Sequence, residues 1–164
     1  MSDEEFTEAV QRYSDMLFRI ALSCCKNRSD AEDIVQNVFL KLFRHEGFFN
    51  DEEHMKSWLI RVAVNEGRRY LSSPWHRRVT CPMDDESLAK EGILFEIPEQ
   101  SELFFAVRSL PPKYRIVVHL YYYEDYRVGE IADMLGVRET TVQTQLMRAR
   151  QKLKSKLSEA DYEF

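Results

Sequence analysis

The sequence predicts an all-α protein: two small helical domains joined by a linker, the C-terminal one a helix-turn-helix. Three observations predict it. Apolar residues recur at helical spacing through most of the 164 residues, and no stretch keeps the strict alternation of a strand. The helical pattern fades between Ser72 and Ser101, where three of the five prolines gather with an acidic excess. In the last third, "VGEIADMLGVRETTVQTQLMRARQKL" has the spacing that lets two short helices cross closely. The expected domains are residues 1–72 and 102–164, with 73–101 as the linker.

Each element has its own signal. Ser2 with Glu5, and Ser29 with Glu32, have the spacing of capping boxes, in which hydroxyl and carboxylate each accept from a backbone N–H that a first turn leaves unpaired. Helices are therefore expected from about residues 3 and 30. On a helical wheel of the second, Ala31, Ile34, Val35, Val38 and Leu42 form one apolar stripe. Phe39, Leu40 and Phe43 lie off that stripe beside Glu32, Asp33 and Gln36. Either the other helices of a bundle cover this second patch or a partner protein does. A third helix is expected over 52–71, with Asn50 as N-cap and Trp58, Leu59, Val62 and Tyr70 at helical spacing. After the linker, four helices fit residues 102–109, 112–123, 128–135 and 139–158, the second opening on a proline that suits a first turn.

In the helix-turn-helix, Ala132 is small where the helices touch, Gly136 stands where the turn needs a left-handed residue, and Val142 pins the second helix. Ile131, Leu135 and Val137 complete its core, and Val142, Leu146, Ala149, Leu153 and Leu157 form a buried seam. Thr140, Thr141, Thr144, Met147, Arg148 and Gln151 face the other way. Threonine hydroxyls meet phosphates or base edges, and arginine grips guanine or phosphate bidentately, so this side suits the DNA major groove. Residues 138–157 carry six Lys or Arg, beginning with Arg138, against the single Glu139, in a chain of net charge −5. One cationic helix on an acidic protein marks a local anion-binding surface rather than a general nucleic-acid binder.

Composition narrows the function further. With 44% hydrophobic and 31% charged residues, five glycines and five prolines, the chain is globular rather than disordered or fibrous. Three cysteines without a CxxC pair imply no disulfide framework and a reducing, cytoplasmic setting, with Cys24 and Cys25 read as small buried thiols. The acidic start "MSDEEFTEAV" and the lack of an 18-residue apolar run predict neither export nor membrane insertion. His45, Glu46, Glu52, Glu53 and His54 straddle a loop without metal-ligand spacing, so no metal is expected. With no nucleophile elbow, phosphate loop or paired catalytic carboxylates, no catalytic residue and no cofactor are expected either.

"DAEDIVQNVFLKLF", "SWLIRVAVNEGRRYL" and "LPPKYRIVVHLYYYEDYRVGEIADMLGVRETTVQTQLMRARQKL" resemble, in order, the signature blocks of the extracytoplasmic-function sigma factors, bacterial transcription-initiation proteins. The matched blocks span about half the chain. The resemblance implies that Asp30, Glu32, Asp33 and Gln36, with Phe39 and Leu40, bind the clamp helices of core RNA polymerase. It implies that the third helix and the loop before it read and help melt the promoter's minus-ten element. Freed bases need aromatic or guanidinium planes and hydrogen-bonding amides, which Phe48, Phe49, Trp58, Arg61, Asn65, Arg68 and Arg69 offer. For Trp58 a place in the bundle core stands beside base contact. The last helix, with Arg138, Thr140, Thr141, Thr144 and Arg148, would enter the major groove at the minus-thirty-five element. Core RNA polymerase and promoter DNA are thus the implied partners, and the "FF", "YYY" and leucine-rich surfaces could serve an anti-sigma factor.

The sequence departs from the family in two places. Where the usual pattern is close to T-V-K-S-R-L, this chain has Thr141, Val142, Gln143, Thr144, Gln145 and Leu146, so two cations become amides. Each lost phosphate contact lowers the salt slope by about one unit, and weaker or differently specific binding is expected. In the third helix Arg69 stands where many members have Asp, and Ser72 where many have Arg. Two other readings are a stand-alone helix-turn-helix regulator and an enzyme built on the N-terminal bundle; neither accounts for the A-E-D-x-V-Q block.

Overall fold

The computed structural model describes residues 1–25, 27–73 and 102–157, and the chain divides into two compact units, Met1–Asp84 and Asp85–Phe164. Of the expected linker, residues 74–101 lie outside the described residues.

Among its described residues the first unit is a bundle of three helices: α1 (Asp3–Cys25), α2 (Arg28–Phe43) and α3 (Glu52–Ser72), each packed on the other two. The opening capping box forms: the Ser2 N–H donates to Glu5 Oε2 at 2.7 Å and the Glu5 N–H to Ser2 Oγ at 3.2 Å. Leu17, Ile20 and Leu22 of α1, Val38 and Leu42 of α2, and Leu59 and Ile60 of α3 are all withdrawn from water where the three helices pack. Each such side chain contributes about 1.5–3 kcal/mol of burial, which is what holds helices of this length together. Gly67 lets α3 approach α1, since a Cβ there would lie 2.6 Å from Cys24 Cβ.

Two helix starts differ from the sequence reading. At α2 the N-cap is Asn27, whose Oδ1 accepts from the Asp30 N–H at 3.3 Å; Ser29 is already helical, and Glu32 pairs with Arg28 instead of reaching back. Asparagine caps at least as well as serine, and the earlier start gives Glu32 a cation one turn away. At α3 the N-cap is Asp51 rather than Asn50, its carboxylate accepting from the His54 N–H at 2.7 Å. The Asn50 N–H donates to His54 Nδ1 at 3.1 Å, so the two neighbours share the cap.

The second unit holds α4 (Glu102–Arg108), α5 (Pro112–Val118), α6 (Val128–Leu135) and α7 (Glu139–Lys156). Arg115 of α5 is buried and donates to the carbonyls of Arg108 and Leu110 at 3.1 and 3.0 Å, satisfying oxygens that the end of α4 leaves open. The single helix expected over 112–123 does not persist as α: its last five residues, His119–Tyr123, wind as a π turn closed by the Glu124 N–H on the His119 carbonyl at 3.2 Å. The wider winding buries His119 and Leu120 while bringing two successive rings, Tyr121 and Tyr122, to 5.7 and 5.8 Å from the Arg150 guanidinium.

Helix α6 ends where the sequence asks for a left-handed residue. Gly136 has φ 65° and ψ 36°, the Val137 N–H returns to the Ala132 carbonyl at 3.1 Å, and the Gly136 N–H to that of Asp133 at 3.4 Å. This reciprocal closure turns the chain into α7. There Val142, Leu146, Ala149 and Leu153 are buried against the other helices, with Leu157 just beyond, which is the expected seam.

Candidate functional site

Because α2 spends Ala31, Ile34, Val38 and Leu42 on the bundle core, its other residues are exposed or only half-buried. Asp33, Gln36 and Leu40 fall on one exposed strip, Leu40 being 50% exposed and Phe43, one turn further, 62%. Phe39 is half-buried. Phe6 of α1 meets its ring edge-on at 6.4 Å and that of Phe43 at 5.4 Å. The bundle therefore covers the second apolar patch only in part. Two of the expected residues are engaged within the fold: the Tyr70 hydroxyl of α3 donates to Asp30 Oδ2 at 2.6 Å, and Glu32 pairs with Arg28 at 3.0 Å. The second pair is exposed on both sides and adds little stability. Asn37, exposed on the same strip, was not singled out from sequence.

On α3, Arg61, Asn65, Arg68 and Arg69 are all exposed and share one face at spacings of four, three and one. Trp58 begins that face but is half-buried in a ring cluster: His45 lies 4.8 Å from it and Phe49 5.6 Å, while His45 and Phe49 stack at 4.8 Å and 20°. The indole thus pins the loop between α2 and α3 from below. At the crest of that loop Phe48 is 95% exposed, a large ring held in water.

One cation of this face is anchored by a residue that periodicity did not mark. Glu66, only 7% exposed, accepts from Lys41 of α2 at 2.5 Å and from Arg69 at 3.2 Å. Burial pushes its carboxyl up, but the hydrogen bond and charge of Lys41, with Arg69 beside them, outweigh that and hold it below the ordinary carboxylate value.

On α7, Arg138, Thr140 and Arg148 are exposed and Thr141 and Thr144 half-buried, so the residues expected to meet DNA share one side of the helix. The Thr144 hydroxyl donates to the Thr140 carbonyl at 2.8 Å, leaving its oxygen turned out as an acceptor. Arg138, the N-cap residue, makes no side-chain cap, so its guanidinium is not used to close the helix. Beside these residues lies a hollow of about 260 Å³, where Lys113 and Tyr114 of α5 meet Thr140, Thr144, Gln145 and Arg148. Sequence reasoning passed over Lys113 and Tyr114, which lie far from α7 in the chain. Burial pushes the Tyr114 phenol up, but the neighbouring Arg148 and Lys113 outweigh that and draw it down.

Among the described residues no group of three or more His, Cys, Asp or Glu could hold a metal ion, and no helix is long and apolar enough to cross a membrane. Cys24 and Cys25 are buried free thiols.

Comparison with known proteins bears on the same segments. The family described as Sigma-70 region 2 matches residues 9–77, and Sigma-70, region 4 matches residues 101–153. RNA polymerase sigma factor SigV of Bacillus subtilis (strain 168) is 31% identical over 149 residues, covering 88% of this chain and 86% of its own. ECF RNA polymerase sigma factor SigM of the same strain is 28% identical over 153 residues, with 90% and 92% covered. Among solved structures, the sigma factor RpoE in complex with the anti-sigma factor NepR from Bartonella quintana matches with a TM-score of 0.68 at 18% identity, over 96% of this chain and 99% of that one. CnrH in complex with the cytosolic domain of CnrY matches with a TM-score of 0.64 at 22% identity, over 94% and 88%.

Proposed function

The chain belongs to the extracytoplasmic-function sigma factors of the sigma-70 family, which are not enzymes, and from that premise we propose how its residues divide the work. As a sigma factor it binds core RNA polymerase and directs promoter-specific transcription initiation. Residues 1–72 form the domain that grips the polymerase clamp and reads the minus-ten element, 102–164 the domain that reads the minus-thirty-five element, and 73–101 the linker between them.

The clamp seats on the outer strip of α2, with Asp33 and Gln36 as its polar contacts, Leu40 and Phe39 as its apolar ones, and Asp30 and Glu32 at its edge. Trp58, Arg61, Asn65, Arg68 and Arg69 engage the minus-ten strand, and Arg138, Thr140, Thr141, Thr144 and Arg148 the minus-thirty-five duplex. The observation that carries this reading is the division of α2: one side builds the bundle core, and the other holds apolar surface that the bundle leaves half open. The site of action is the cytoplasm, where bacterial polymerase works. An anti-sigma protein is a further partner, supported by the solved complex of RpoE with NepR.

Size-exclusion co-elution with bacterial core RNA polymerase at physiological salt tests the assignment. Wild type is expected to co-elute, and Asp33→Ala/Gln36→Ala to do so at least tenfold more weakly, the loss of two interface hydrogen bonds. Undiminished co-elution of the folded double variant would move the clamp contact elsewhere on the bundle.

A further inference from the structure

We propose that Lys113 and Tyr114 of α5 join Arg148 of α7 as a clamp for one backbone phosphate of the minus-thirty-five DNA, so that α5 restores an anion contact which α7 has given up. The proposal rests on the reading that α7 enters the major groove, and goes beyond it by naming a seat outside that helix.

Three observations converge on it. The hollow of about 260 Å³ lies between the two helices, on the side of α7 that carries its threonines. Both of its cations, Lys113 and Arg148, are exposed, and the Lys113 ammonium stands 5.0 Å from the Tyr114 ring centre, so two positive charges flank one phenol. A phosphate oxygen placed there meets both charges and accepts from the phenol, with the Thr140 hydroxyl at the rim; such charge-assisted bonds are the strong ones. The floor is Gln145, where the family pattern has a cation. Its amide oxygen is withdrawn from water without a hydrogen-bond partner, and turning the amide presents its NH₂ to an anion instead. A cation at 145 would crowd a seat already bounded by Lys113 and Arg148.

Salt dependence of holoenzyme binding decides the matter, using a promoter fragment selected from random DNA by the reconstituted holoenzyme. Lys113→Gln/Arg148→Gln is expected to reduce the slope of log affinity against log salt by about one unit, because both cations serve a single phosphate. Replacing the minus-thirty-five phosphates one at a time by neutral methylphosphonates should weaken wild type at one position that no longer matters to the double variant. Tyr114→Phe, which keeps the buried ring, should weaken binding equally on every minus-thirty-five sequence. A slope unchanged in the double variant overturns the clamp, and a drop of two units overturns the shared seat. Should wild-type holoenzyme leave the minus-thirty-five duplex unprotected, the major-groove reading of α7 fails and the clamp with it.

Discussion

Glu66 shows at the scale of one residue how the bundle positions the α3 face proposed to meet the minus-ten strand. The carboxylate is nearly buried, and it stays charged because Lys41 of α2 and Arg69 of α3 meet it. Its folded-state titration lies below the ordinary value of 4.5, so the stability it contributes is present above about pH 4.5 and disappears as pH falls through the lowered value. Glu66→Gln is expected to cost the bundle about 1 kcal/mol at neutral pH, with the difference in melting temperature closing as the acid limit is approached. A gap that persists at acid pH would assign the effect to packing. None of this was legible beforehand, since a separation of 25 positions between Lys41 and Glu66 hides the contact from any wheel. Still longer separations in sequence hid the tie between Asp30 and Tyr70, and the meeting of Lys113 and Tyr114 with Arg148. The apolar seam of α7 was legible residue by residue, because burial along one helix follows its own period.

Helices were read more surely than their ends. Among the described residues seven α-helices stand close to where periodicity put them, but the caps of α2 and α3 shifted by one or two residues, because Asn27 and Asp51 compete with neighbours of similar chemistry. The π turn at His119–Tyr123 escaped for a different reason: one extra residue in a turn leaves the apolar pattern helical. Helix α7 offers a test at this scale. It opens at Arg138 without a side-chain cap, a position where serine or aspartate stabilises a helix by about 1 kcal/mol. Arg138→Ser is therefore expected to raise the thermal stability of the C-terminal unit while weakening holoenzyme binding to minus-thirty-five DNA. Calorimetry and filter binding on the same preparation read both effects. A gain in stability with unchanged DNA binding would remove Arg138 from the interface.

For the whole molecule the governing quantity is charge. A net charge of −5 opposes DNA, and the cations of α3 and α7 are local exceptions to it. On the proposed assignment, recognition at the minus-thirty-five element then depends on polymerase to hold the chain near the duplex and raise its effective concentration. The isolated protein is expected to give no retarded band with the selected promoter at about 0.15 M salt, whereas the holoenzyme retards it. Tight binding by the chain alone would restore the stand-alone regulator.

The ring cluster beneath the loop between α2 and α3 also makes the protein its own optical probe. Only two tryptophans occur in the chain, Trp58 and Trp75, so Trp75→Phe leaves a single emitter seated against His45 and Phe49. Lifting those rings away wets the indole and shifts its emission to the red. With 5-hydroxytryptophan at that one position, excited to the red of the polymerase's own tryptophans, stopped-flow fluorescence of the holoenzyme mixed with promoter would then time the rearrangement of this loop, with no dye attached to protein or DNA.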